Sequence, residues 1–248
     1  MGTSVVIEDG IAEVVMDHPP VNALTVAGWF EVAEKLDDLS KRDDVKVVIL
    51  RAEGRGYNAG VDIKEMQNTT GFDALIGANR GCYEAFRAVY ECSAPVITAV
   101  QGFCVGGGIG LVGNSDVVIA SDDAFFGLPE IDRGALGAAT HLARLVPPLK
   151  MRSMYLTGEN ATAQELLAFG SVYQVVPRAE LRDAAFAVAR KIAAKHTRVV
   201  KAAKEAMNCI DPVDVKRSYR FKQGFTFELN LSGVSDELRD DFVAGGKK

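Results

Sequence analysis

Apolar and polar residues alternate over residues 4–8 and again over 11–16, with Asp9-Gly10 between the two runs. Alternation with period two turns one face of a strand inward, and Asp-Gly tolerates the positive φ of a tight turn, so the chain is predicted to begin with a β-hairpin. Asn22 then stands where it could cap a helix in which Trp29, Ala33 and Leu36 recur at helical spacing. Residues 45–50 are rich in β-branched side chains and do not alternate, as expected of a strand covered on both faces. The pattern repeats: helix over 75–90, strand over 96–100, helix over 108–113, strand over 116–120. Short strands alternating with helices imply an α/β core of mostly parallel strands joined by right-handed crossovers.

From about residue 179 strand signals cease. Residues 181–194, 198–209 and 213–229 read as helices, with a shorter one over 235–243. Tyr219, Phe221, Phe225 and Phe227 crowd one of them and require a surface to pack on, either the chain's own core or a neighbouring subunit. A length of 248 residues suits one domain or a domain with an appendage.

Composition narrows the function classes. The net charge is −5 and there is no basic run, so nothing favours nucleic acid. No apolar run is long enough to suggest a membrane span, and no segment reads as a signal peptide, so a cytoplasmic location is expected. Cys82, Cys92, Cys104 and Cys209 lack CxxC spacing and read as reduced thiols. The three histidines, His18, His141 and His196, lie far apart, so no metal site is expected.

Three segments carry chemistry. Gln101-Gly102-Phe103-Cys104-Val105-Gly106-Gly107-Gly108-Ile109-Gly110 follows a strand and enters a helix. Glycines at such a turn expose backbone N–H groups that can hold a developing oxyanion, although a glycine-packed turn without a ligand has the same pattern. Asn58-Ala59-Gly60-Val61-Asp62-Ile63-Lys64-Glu65 follows the strand ending near Leu50; its small residues allow close approach to the backbone, and Asp62 could cap the next helix. In Phe125-Phe126-Gly127-Leu128-Pro129-Glu130-Ile131-Asp132-Arg133-Gly134, apolar neighbours surround Glu130. Burial there would raise its pKa and suit it to proton transfer near neutrality; the alternative is an exposed glutamate paired with Arg133. Cys104 precedes the glycines but has apolar neighbours and no local base, the surroundings of a packed thiol.

In this order and at these separations, the three segments, together with Pro20-Val21-Asn22-Ala23-Leu24, resemble the crotonase (enoyl-CoA hydratase/isomerase) superfamily over essentially the whole chain. The resemblance implies an α/β fold in which a spiral of ββα units, residues 1–190, is followed by a helical oligomerisation region, residues 191–248, that builds trimers, often paired into hexamers. It implies an acyl-coenzyme A thioester as substrate, with no cofactor beyond that coenzyme A. The backbone N–H groups of Val61 and Gly107 would form the oxyanion hole, and Glu130 would carry protons. Ala59, Gly60, Asp62 and Ile63 would border the coenzyme, with Arg55 and Lys64 as candidates to neutralise its phosphates.

One departure from the family is informative. Family hydratases carry a carboxylate two residues after the triple glycine, where this chain has Gly110. Hydration of a double bond benefits from two proton-handling groups, so ordinary enoyl-CoA hydration is placed in doubt, and Gly110 is expected to leave space for a larger acyl group. Asp132 and His141 are the candidates to supply the second group; the alternatives are a solvated loop carboxylate or a partner for Arg133 in the first case and a core histidine in the second. Runs such as residues 51–62, 79–82, 134–141 and 223–231 resemble a branch of the superfamily that hydrolytically opens a carbocyclic ring of steroid-derived acyl-CoA thioesters. An enoyl-CoA isomerase or hydratase using one glutamate, and a non-catalytic acyl-CoA-binding homologue, are the competing expectations.

Overall fold

The computed structural model describes residues 2–245. The predicted hairpin consists of β1 (Gly2–Glu8) and β2 (Ile11–Asp17), paired antiparallel from Gly2 opposite Asp17 to Glu8 opposite Ile11. Asp9 and Gly10 turn the chain with φ of 51° and 78°, the pair of left-handed residues that a two-residue hairpin loop requires. There follow α1 (Val26–Ser40), β3 (Val47–Ala52), α2 (Ile63–Asn68), α3 (Asp73–Glu91), β4 (Val96–Val100), β5 (Phe103–Val105), α4 (Gly107–Val112), β6 (Val117–Ser121) and β7 (Phe125–Gly127). A 3-10 turn (Pro129–Arg133) leads into α5 (Ala139–Leu142), α6 (Pro148–Thr157), β8 (Asn160–Thr162), α7 (Ala163–Phe169) and β9 (Gln174–Val176). The chain closes with α8 (Leu181–Ala193), α9 (Thr197–Ile210), α10 (Arg217–Leu231) and α11 (Val234–Val243).

The larger sheet has strand order β1-β2-β3-β4-β6-β9, and every pairing after the hairpin is parallel. A smaller sheet has the order β5-β7-β8. Successive turns of chain place one strand in each sheet, β4 then β5 and β6 then β7, which is the expected spiral of ββα units. β3 explains its unbroken apolar sequence. Val48 and Leu50 enter the core shared with Trp29, Leu36 and Phe86, whereas Val47 and Ile49 meet Leu181, Ala185 and Val188 of α8 on the other face. Among the described residues no helix is long and apolar enough to cross a membrane.

One local expectation is corrected. Thr25, not Asn22, caps α1, its Oγ1 accepting from Gly28 N at 3.2 Å. Asn22 sits at φ 52° and is spent on the loops instead: its Nδ2 donates to Glu53 O at 2.7 Å and to Gly56 O at 2.9 Å, while its Oδ1 accepts from His18 N at 2.8 Å.

The C-terminal helices fold back on their own chain. Arg182 of α8 reaches the buried Glu13 carboxylate, which Arg51 also grips at 2.6 Å. Lys204 of α9 is buried against Asp116 at 2.8 Å and donates to Val89 O at 3.1 Å. Tyr219 of α10 packs edge-on to Phe86 at 5.3 Å. The aromatic group is divided by this docking: Tyr219 joins the core, whereas Phe221 and Phe225 remain exposed with their rings 5.4 Å apart.

Candidate active site

The glycine turn and the Asn58–Glu65 segment meet. Leu24 bridges to Val61 in parallel fashion, with Leu24 N donating to Gly60 O and Asp62 N donating to Leu24 O, both at 2.9 Å. That pairing uses the groups on either side of Val61 and leaves the Val61 N–H turned away from Leu24. Asn58 holds the loop in this path: buried, it donates from Nδ2 to Asn22 O at 2.7 Å and accepts from Gly60 N at 2.8 Å. Gly60, at φ 87°, lies so close to the other loop that a Cβ there would stand 3.2 Å from Gly107 N. Gly106, at φ 62°, completes the crossing. Val61 and Gly107, from loops far apart in sequence, thus both line one cavity, of about 1120 Å³ with its open mouth included.

Glu130 faces the same place. A Cβ on Gly106 would meet Glu130 Oε1 at 3.0 Å, so the carboxyl lies directly beside the glycine loop. Oε2 is buried without a hydrogen-bond partner among the described residues, and the expected alternative of a pair with Arg133 is not formed. Arg133 instead donates to Pro129 O at 2.8 Å and stacks over the Phe242 ring at 4.2 Å. Burial pushes the Glu130 carboxyl up to about 7, opposed weakly by its own backbone hydrogen bond and by the positive charges of Lys222 and Arg133. A carboxyl poised at that value can both take and give a proton near neutrality.

Three expectations change here. Gly110 does not enlarge the acyl pocket: a Cβ at Gly110 would lie 2.1 Å from Phe86 Cζ, so the Phe86 ring occupies the volume that a side chain would take. His141 is buried in the core, between Phe86 at 4.9 Å and Tyr219 at 5.0 Å, with neither ring nitrogen hydrogen-bonded among the described residues. Those two rings line the cavity and separate His141 from it. Burial, with Lys222 and Arg144 adding to it, drives its pKa down to about 3. Asp132 is exposed and lies beside Gly158, where a Cβ would stand 3.1 Å from its Oδ2, away from the cavity lining. Neither His141 nor Asp132 is brought to Glu130.

Of the residues expected to border a coenzyme, Ala59, Gly60 and Ile63 line the cavity. Asp62 caps α2 as expected, its Oδ1 accepting from Lys64 N at 2.9 Å. Lys64 and Arg55 are exposed outside the cavity, Arg55 with its guanidinium over Phe103 at 5.9 Å. Cys104 is a packed thiol whose pKa burial pushes well up.

Sequence reasoning missed Lys222 of α10. It lines the cavity, its ammonium donates to Gly137 O and stands 4.6 Å from the Tyr219 ring centroid, and burial lowers its pKa to about 8 against the opposing pull of Glu130 and Cys82. The available signal was a stripe rather than a motif. Tyr219, Gln223, Thr226 and Asn230 recur at helical spacing and are all buried, so α10 turns a largely polar face inward. A polar inward face is uncommon unless it borders a ligand or a hydrogen-bonded network.

Comparison with known proteins agrees with this geometry. The enoyl-CoA hydratase/isomerase family model matches residues 6–223. The chain is 66% identical over 245 residues, covering 99% of it and 95% of the relative, to a (7aS)-7a-methyl-1,5-dioxo-2,3,5,6,7,7a-hexahydro-1H-indene-carboxyl-CoA hydrolase of Rhodococcus jostii (strain RHA1). It is 63% identical to the protein of the same name from Mycobacterium tuberculosis (strain ATCC 25618 / H37Rv), covering 97% of this chain and 98% of the relative. The crystal structure of an enoyl-CoA hydratase from Mycobacterium avium subsp. paratuberculosis K-10 superposes with a TM-score of 0.87 at 25% identity, covering 96% of this chain and 98% of that one. The chain belongs to the enoyl-CoA hydratase/isomerase family.

Proposed function

We propose that this protein hydrolytically opens the five-membered ring of a methyl-dioxo-hexahydro-indene carboxyl-CoA thioester, a reaction of steroid-ring breakdown. The observation that carries the reading is the meeting of one carboxyl, Glu130, with two loop amides, Val61 and Gly107, in a cavity where Phe86 fills the place of the hydratases' other carboxylate. The high identity to two hydrolases named for that substrate supports the choice of thioester.

The chemistry uses these parts in turn. Water adds to the ketone carbon of the five-membered ring, giving up one proton to Glu130. The bond between that carbon and the methyl-bearing ring-fusion carbon then breaks, leaving a carboxylic acid. Its electron pair passes through the ring double bond into the thioester carbonyl, and the oxygen takes up negative charge between the two amides. Glu130 returns the proton to the ring-fusion carbon, so that the net change is addition of one water. Each oxyanion donor is worth about 3–4 kcal/mol in such a step. The exposed Phe221 and Phe225 support assembly through the C-terminal helices into a trimer, or a pair of trimers, which a solution mass measurement tests.

The protein is to be incubated with the bicyclic thioester in ¹⁸O-labelled water and, separately, with crotonyl-CoA. The expected product retains its thioester and gains a carboxylate carrying the label. Hydration of crotonyl-CoA with the bicyclic thioester untouched would replace this reading by the hydratase one, and tight binding without turnover would make the protein an acyl-CoA-binding homologue.

A further inference from the structure

Among the cations lining the cavity, Lys222 has a distinct situation. Arg239 is held by Asp236 and by Gln67 at 2.9 Å; Arg133, also without a carboxylate partner and with its buried Nε unpartnered among the described residues, is fixed by Pro129 O and by stacking on the Phe242 ring. Lys222 has no carboxylate within ion-pair distance among the described residues; its one protein acceptor is the neutral carbonyl of Gly137. An ammonium carries three N–H donors, so donors remain for a ligand. A half-buried cation without a counterion is costly unless the site supplies negative charge when occupied. Glu130 packs against the same Gly137, where a Cβ would meet its Oε1 at 2.7 Å, near enough to feel Lys222 without forming an ion pair.

The substrate class of the proposed function presents such charge at two oxygens. Its thioester and the ketone of its six-membered ring flank one carbon, so the electron pair released by ring opening is shared between both oxygens. The Val61 and Gly107 amides take the first. Resting on that reading, we infer that Lys222 is a catalytic residue that binds the six-membered-ring ketone oxygen and holds the second share of enolate charge, which makes the site selective for β-keto thioesters over simple enoyl thioesters. The groups that face Lys222 are Glu130 from the 3-10 turn, Cys82 from α3, His141 from α5 and Tyr219 from its own helix. Cys82 and Tyr219 are pushed well up by burial and His141 down, so all three are uncharged at neutral pH, and Glu130 alone titrates beside it.

The test uses a probe that cannot ring-open, 2-oxocyclohexane-carboxyl-CoA, whose enolate absorbs in the near ultraviolet. Wild-type protein is expected to bind it with enolate absorbance at a pH at least one unit below that needed in water. Lys222→Met should abolish that shift and lower kcat for the bicyclic thioester by about 10²–10³-fold, the range for loss of one oxyanion donor. Lys222→Arg, which keeps the charge, should restore part of both. Unchanged enolate absorbance in Lys222→Met, with its melting temperature preserved, would overturn the assignment even if wild-type ring opening proceeds as proposed. If wild type fails to open the bicyclic ring yet stabilises the probe enolate through Lys222, the proposed reaction falls and the β-keto thioester site stands. Should Lys222→Met not fold, absence of the shift in wild type and in Lys222→Arg alike would equally overturn it.

Discussion

Glu130 and His141 sit on the same connection between β7 and α6, and both carry buried nitrogen or oxygen atoms without a hydrogen-bond partner among the described residues. Burial drives each toward its neutral form, Glu130 up to about 7 and His141 down to about 3. They differ in what stands in front of them. Glu130 opens on the cavity beside Val61 and Gly107, whereas the rings of Phe86 and Tyr219 wall off His141. A displaced pKa therefore reports burial; it becomes chemistry only where a cavity lets a substrate reach the group.

The largest expected break in this comparison is Glu130→Gln. It should lower kcat for ring opening by about 10²–10⁴-fold, the usual contribution of a positioned proton-transfer group. The variant should also be more stable than wild type above pH 7. The folded-state pKa of Glu130 is raised from 4.5 to about 7, so its contribution is fully present below 4.5 and is lost as pH rises to 7. That loss is about 3 kcal/mol, read as a higher melting temperature of the glutamine variant.

Gly106→Ala should lower kcat by about 10²–10³-fold, as expected when one oxyanion donor is misplaced. Its Cβ would crowd Glu130 Oε1 at a backbone φ of 62°. A near-wild-type rate would remove the loop crossing from the mechanism. His141→Leu should behave oppositely to Glu130→Gln, leaving kcat within about threefold of wild type while changing acid stability. The folded pKa of His141 lies near 3, below the ordinary 6.5, so wild type loses stability as pH falls between them. The leucine variant should be more stable by about 3 kcal/mol at pH 4, measured by urea unfolding. A large loss of kcat in this variant would return His141 to the active site.

The smallest effect is expected at Gly110. Gly110→Ala places a Cβ against Phe86 Cζ and should cost about 1–3 kcal/mol of stability by overpacking. Adding Phe86→Leu should recover part of that cost; simple additivity of the two changes would refute the close packing of Phe86 on Gly110.

Much of this was legible before the fold was seen, and the pattern of successes has a physical basis. The hairpin followed from alternation and Asp9-Gly10, and the tight loop turns at Gly60 and Gly106 followed from glycines whose backbone freedom is visible in one dimension. The apolar neighbours of Glu130 are adjacent in sequence and allowed a buried carboxyl without excluding an exposed one; the packing against Gly106 and Gly137 decided it. Asn22 was misread as a helix cap because its partners, Glu53 and Gly56, lie on a distant loop. Gly110 was misread as open space because the side chain that fills it, Phe86, comes from another helix. Lys222 had no local signature; only the docking of α10 carries it to the cavity beside Gly137.

The amino-acid sequence by itself determined the alternation of strands and helices, the two glycine loops and the identity of the buried glutamate, since each depends on residues near one another in the chain. Tertiary structure alone decided which buried ionisable group reaches the cavity, what occupies the volume beside Gly110 and which lysine faces Glu130. Those outcomes depend on how distant helices pack and on which of their faces turn inward, and packing is a property of surfaces brought together in space.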